Sequence, residues 1–234
     1  MSTLETDLIQ ASTGTNTAIK IKGKGTGVVK IGDGELAFPD ADGSADQIIK
    51  TDGSGTLSFV AAAGGGTSVI SRATFSGAST VDLTGFDSST YDAYEVHLYV
   101  IVGTDDKRVN LRTSTDGGST FDTSGYVHVT REIYGASSTV TGVTGTAEIR
   151  LIDENRVGNA ADESAILTLY INRPDEARDT LFHWSGVNLN NNAVLNLVHG
   201  AGQRDSAADV DAIQFLANTG TITGSYVFLG IKKA

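Results

Sequence analysis

The side chains best arranged for chemistry lie in Ser114-Thr-Asp116-Gly-Gly118-Ser-Thr120-Phe121, which fits the pattern Ser-x-Asp-x-Gly-x-Thr-aromatic. In such a box the Ser and Asp side chains hold turn N–H groups. A glycine takes the positive φ, and the aromatic ring packs beneath. Cleavage of a glycosidic bond needs, besides any turn, two carboxylates flanking that bond. Asp105 and Asp106 would have to meet Glu148 or Asp153, and nothing in the sequence brings them together. Ser114, Asp116, Gly118, Thr120 and Phe121 are therefore read as a structural turn.

Three further patterns reduce in the same way. Asp40-Ala-Asp42-Gly-Ser-Ala-Asp46 has the alternating acids of a calcium loop, but Thr51 stands where an EF-hand loop needs its bidentate Glu. Gly23-Lys-Gly-Thr-Gly27 lacks the spacing of a phosphate loop, and an extended segment follows it rather than the helix that would hold phosphate. The histidines, His97, His128, His183 and His199, have neither i, i+4 nor His-x-His spacing, so they suggest no metal pair. A Gly-x-Ser-x-Gly elbow is absent as well. No catalytic residue, metal or cofactor is assigned, and the chain is read as a non-enzyme. Trp184, the sole tryptophan, together with Tyr126 and Tyr134, could stack on a sugar ring at a sheet surface. The apolar run around Trp184 equally fits a core tryptophan, and favours it.

The elements that would carry these residues are strands. Gly is frequent at 28 residues, Pro is rare at 2, and apolar residues come in short bursts between turn residues. That pattern is all-β rather than disordered. From Val69 to Ile231 about eleven strand-like runs recur. In Ala93–Val102, Tyr94, Val96, Leu98 and Val100 share a face, and Ala165, Leu167, Leu169 and Ile171 alternate likewise. These runs predict a jelly-roll-like antiparallel β-sandwich over 68–234. Asp153–Glu163, Asn172–Asp179 and Ala201–Asp209 read as polar loops, where recognition residues commonly sit.

Before residue 61 the extended pieces are shorter: Ala18–Lys22, Val28–Ile31, Glu35–Phe38, Gln47–Lys50 and Leu57–Val60, cut by Gly turns. Pieces with two or three apolar side chains cannot hold a core alone. This stretch, 18–60, is read as a short shaft that gains burial from identical copies or from another protein. Segment 1–17 precedes it, with Leu4, Leu8 and Ile9 as apolar anchoring residues. The small-residue stretch 61–67 reads as a hinge.

The net charge of −11 repels phosphate backbones. Lys20, Lys22, Lys24 and Lys30 alternate with apolar residues and Gly as the wet side of a strand, so no nucleic-acid partner is expected. With no cysteine, disulfides are excluded. The acidic start lacks a signal-peptide pattern, and Val96–Val102 is too short for a membrane helix. Synthesis in the cytoplasm without membrane insertion is the expectation.

Two stretches carry a family resemblance. Gly32 to Val60 resembles the shaft segments of tail fibres from tailed phages, marine ones especially. Thr84–Tyr94, Arg112–Phe121 and Ile222–Lys232 are similar to a sandwich domain of phage fibre and spike proteins. The resemblance implies a homotrimer located on the virion. It implies an N-terminal end held by other virion proteins and a C-terminal head that faces host surface glycans. Having one shaft segment only, the chain fits a stubby spike or short tail fibre, or else a capsid decoration or head fibre anchored through residues 1–66.

The shaft argument predicts an oligomer. Light scattering of the intact chain should return about three times the mass of one chain, and a stable monomer would contradict it.

Overall fold

The computed structural model describes residues 30–31, 36–39, 43–45, 47–61, 66–176 and 178–233. Leu4, Leu8, Ile9, the strand expected at Ala18–Lys22, and the Gly23–Gly27 and Asp40–Asp42 turn residues lie outside them. The chain divides into two compact units, Met1–Gly64 and Gly65–Ala234.

In the first unit, β1 (Lys30–Ile31) pairs antiparallel with β2 (Leu36–Ala37), and β3 (Gln47–Thr51) with β4 (Leu57–Ala61). The turn joining β3 to β4 is built by Asp52, whose Oδ1 accepts hydrogen bonds from the Ser54 and Thr56 amides at 2.7 and 3.0 Å. Gly53 and Gly55 supply the positive φ angles, 79° and 90°. Ile48 and Ile49 point to opposite faces, and both stay about half exposed, at 49% and 50%. A hairpin of two five-residue strands has no depth in which to bury them.

The second unit is an antiparallel β-sandwich. Its strands are β5 (Thr67–Ala78), β6 (Thr80–Leu83), β7 (Tyr91–Val102), β8 (Lys107–Ser114), β9 (Tyr126–Tyr134) and β10 (Ser137–Thr146). They continue with β11 (Ile149–Val157), β12 (Ala165–Asn172), β13 (Thr180–Leu189), β14 (Leu195–Arg204), β15 (Ala212–Ala217) and β16 (Ile222–Lys232). An eight-stranded sheet runs β10-β9-β14-β13-β12-β7-β16-β5, and a four-stranded sheet runs β11-β8-β15-β6. The chain repeatedly crosses from one sheet to the other, giving the expected jelly-roll-like sandwich.

The core lies between the sheets and follows the period of two. Val96, Leu98 and Val100 of β7, Leu167 and Leu169 of β12, and Phe182 and Trp184 of β13 face Val109, Leu111, Ile213 and Phe215 of the smaller sheet, all at most 2% exposed. Trp184 is fully buried, and its indole Nε1 donates to the Leu151 carbonyl of β11 at 2.9 Å. That bond ties the two sheets together and satisfies the one polar atom of the ring. On the adjacent β14, Gly200 is Trp184's register partner. A Cβ at Gly200 would run into the indole ring, so this glycine is required by the close approach of ring and backbone.

Two expectations change, and one strand is new. β10 (Ser137–Thr146) is absent from the expected strand-like runs, because it has no continuous apolar face. It is an edge strand held by backbone pairing to β9, and its Val140 is 64% exposed. The first five residues of the loop expected at Asp153–Glu163 belong to β11, and the first four of Ala201–Asp209 belong to β14. Ala201–Arg204 pair with β13 and β9, whereas in β11 the register to β8 breaks between Ile152 and Val157, and a hydrophobic pattern reveals neither.

Gly200→Ala should destabilise the sandwich by roughly 1–3 kcal/mol through overpacking against Trp184. Gly142→Ala should cost little, because its nearest neighbour, Val129 Cγ2, lies at an ordinary 3.6 Å. Urea unfolding followed by the fluorescence of Trp184 measures both.

Candidate functional site

Pleating places every second residue of the large sheet on the face away from the core. On β12 these are Ile166, Thr168, Tyr170 and Asn172; on β13 they are Leu181, His183, Ser185 and Val187. Directly opposed residues of antiparallel strands share a face, so the register extends this surface strand by strand. One transverse row reads Val140, Arg131, His199, Ser185, Thr168, His97, Val227 and Arg72. The next row runs through Val129, Ala201, His183, Tyr170 and Glu95.

Ala201 is small beside its larger neighbours, and the surface dips there. A groove of about 460 Å3 is lined by Tyr170, Asn172, Leu181, His183, Ala201 and Ile231, among others. Tyr170 is 41% exposed and its ring stacks on that of His183, with centroids 5.9 Å apart at 24°. At one end the Asn172–Asp179 loop adds a second hollow of about 380 Å3. It shares Asn172 and Leu181 with the groove and carries Arg173, Glu176, Arg178 and Asp179. Glu176 there accepts from Arg173 at 2.7 Å and pairs with Arg178 at 2.8 Å, while Gln203 donates to Asp179 at 2.6 Å. The exposed lining of the groove is almost wholly apolar, with Asn172 and His183 among its residues, and it suits the apolar face of a flat ring such as a pyranose.

Burial decides among the stacking residues expected from the sequence. Trp184 is a core residue, the reading its apolar run favours. Tyr126 is also fully buried; its hydroxyl accepts from the Thr113 amide at 2.8 Å and donates to the Asp122 carbonyl at 3.2 Å, and Arg204 lies over its ring. Neither can meet a sugar. Tyr134, half-buried at the end of β9, is not among the residues lining the groove. Tyr170 and His183 are the aromatic rings the sequence reading missed. Alternation offered the signal: if Leu169 and Trp184 point inward, Tyr170 and His183 must point out.

The Ser114–Phe121 box forms a turn. Ser114 Oγ donates to Asp116 Oδ1 at 2.8 Å and accepts from the Asp116 and Gly118 amides at 3.1 and 2.9 Å. Asp116 accepts from the Thr120 amide and hydroxyl at 2.8 and 2.7 Å, and Gly118 has φ 86°. Its carboxyl is held down to about 2, chiefly by the Thr120 amide and then by the Thr120 and Ser114 hydroxyls. Phe121 is half-buried beneath the turn.

Of the carboxylates a glycosidase would need, Asp106, Glu148 and Asp153 are matched to arginine. Asp153, fully buried, pairs with Arg108 and with Arg150; Glu148 pairs with Arg112 at 2.9 Å, and Asp106 with Arg156 at 3.1 Å. Among the described residues no group of His, Asp and Glu is arranged to hold a metal. His128 is 1% exposed with neither ring nitrogen hydrogen-bonded. Burial, reinforced by Arg150, pushes it down to about 4, against the opposing pull of Asp153 and Glu148.

No family model matches the chain, and none of the curated proteins does. Among solved structures a galectin from Caenorhabditis elegans, LEC-6, aligns at 13% identity over 70% of this chain and 95% of that one, with a TM-score of 0.31. The similarity is too slight to assign a family.

His128 sets an acid limit on stability. Folding keeps it neutral down to about 4, whereas the unfolded chain takes up its proton near 6.5. Between those values the unfolded state binds more protons, so stability falls as pH drops through that window. His128→Leu should flatten that part of a stability-versus-pH curve. Loss of the Asp116 contribution comes separately, below pH 3.8.

Proposed function

We propose that the chain is a non-enzymatic phage virion protein, a short trimeric tail fibre or spike. Its N-terminal part attaches to the particle, and its sandwich presents the outer face of the large sheet to a host surface glycan. The observation that carries the glycan reading is the open groove in which Tyr170, stacked on His183, stands beside Asn172 and an apolar floor. A ring of this kind offers its face to the C–H side of a sugar, while amide and imidazole groups meet the hydroxyls. The pairing of Asp106, Glu148 and Asp153 with arginines supports binding without cleavage.

The virion reading draws support from the resemblance of Gly32–Val60 to phage fibre shafts. It also draws on Ile48 and Ile49, half exposed on opposite faces of the β3–β4 hairpin. Identical copies wrapped about an axis would cover both. The shortness of that region favours a second position, a capsid decoration or head fibre held through residues 1–66; imaging particles by electron cryo-microscopy separates the two.

Tyr170→Ala should weaken binding to an immobilised host surface polysaccharide by about tenfold, roughly 1.4 kcal/mol, with the unfolding midpoint unchanged. Equal retention of the variant and the parent protein would count against the groove.

A further inference from the structure

The charge on the outer face does not match the charge of the chain. The protein carries a net −11. On the outward positions of the eight-stranded sheet the register places one carboxylate, Glu95, and its Oε1 is already engaged by His97 Nε2 at 2.8 Å. The same face carries His97, His183 and His199, three of the four histidines.

The arginines divide in a similar way. Arg72 and Arg131 are the two described arginines that form no ion pair with a described carboxylate, and both lie on this face; each of the others holds an acid. Arg131 is exposed and sits directly across from His199. With Val129, His183, Gly200 and Ala201 these two residues line a hollow of about 250 Å3, which shares His183 and Ala201 with the Tyr170 groove.

An unpaired guanidinium is a planar fork of donors that matches a carboxylate bidentately. The exposed Arg173 and Arg178 have found such a partner in Glu176. Arg131 has none among the described residues, and its neighbours across the strands are Val140 and His199, neither of them acidic. A surface depleted of acid on an acidic protein also attracts anions and repels other copies of the chain less strongly than its remaining surface does. From β9 to β12 there are three inter-strand steps, about 14 Å, which is the span of a short oligosaccharide.

We propose that the outer face selects an acidic glycan, with the carboxylate of a uronic or sialic acid unit held by Arg131 beside His199 while a neighbouring ring of the same glycan lies on Tyr170 and His183. This inference rests on the glycan reading of the groove and adds the chemical class. Arg131 supplies the charge selectivity, and Tyr170 the stacking common to neutral and acidic sugars.

The test uses the full chain and a panel of immobilised uronate- and sialate-bearing saccharides, each beside its neutral carboxyl methyl ester. The acidic form of at least one pair should bind about tenfold more tightly than its ester and lose affinity as salt rises. Arg131→Ala should erase that difference while leaving ester binding intact, and Arg131→Lys should restore part of it; trapped Trp184 fluorescence checks that both variants fold. If acid and ester bind equally, or Arg131→Ala keeps the preference, the acidic-class inference is overturned and the glycan reading stands. If no saccharide binds in either form, both are overturned. If the parent chain self-associates and Arg131→Glu together with Val129→Asp abolishes that association, the face is an interface between copies and the proposal is overturned.

Discussion

The unbroken alternation of side chains across β9, β14, β13, β12 and β7 of the large sheet is the constraint on which the rest depends. Each strand gives one set of residues to the core and the other to the outer face. A slip of one residue would exchange the two sets completely. Trp184 is the strongest lock on that choice. Its ring needs the space left by Gly200, and its indole N–H needs the Leu151 carbonyl on the opposing sheet. Both demands are met in a single register. With Trp184 fixed inward, His183 is fixed outward, and Tyr170 beside it follows through the pairing of β12 with β13.

The same constraint separates stability from recognition. Burial of Val96, Leu98, Leu167, Leu169 and Phe182 supplies the apolar driving force for the sandwich. The outward residues are then free of any duty to the core, and their chemistry can be set by what they meet. Some polar groups within the sandwich are held by partners: Asp153 sits between Arg108 and Arg150, and the Tyr126 hydroxyl is bonded to the Thr113 amide and the Asp122 carbonyl. A buried charge left unpaired would cost several kcal/mol, so these arginines are committed to the fold. Arg131 is not.

The sandwich was legible in the sequence because period-two runs such as Ala93–Val102 and Ala165–Ile171 state both the element and its buried face. The Ser114–Phe121 turn was legible because its hydrogen bonds are local to the chain. β10 was not, since an edge strand pairs through its backbone and needs no apolar face of its own. The outer face was missed for a related reason. Reading for the core, one follows Leu167 and Leu169 and passes over Tyr170, and one takes Trp184 for the unusual residue in Leu181-Phe-His-Trp when its neighbour His183 carries the surface chemistry. The meeting of Arg131 with His199 joins residues far apart in the chain, through the β9–β14 pairing, and no local pattern announces it.

The most direct test of the central claim, that recognition belongs to the outer sheet face rather than to the loops, is chemical-shift mapping of the labelled chain by NMR during titration with a bound saccharide. Perturbations should cluster on Tyr170, His183 and Ala201 and extend along β12 to β14 and β9. Perturbations confined to residues 158–164 and 205–211, with Tyr170 and His183 unmoved, would contradict the account.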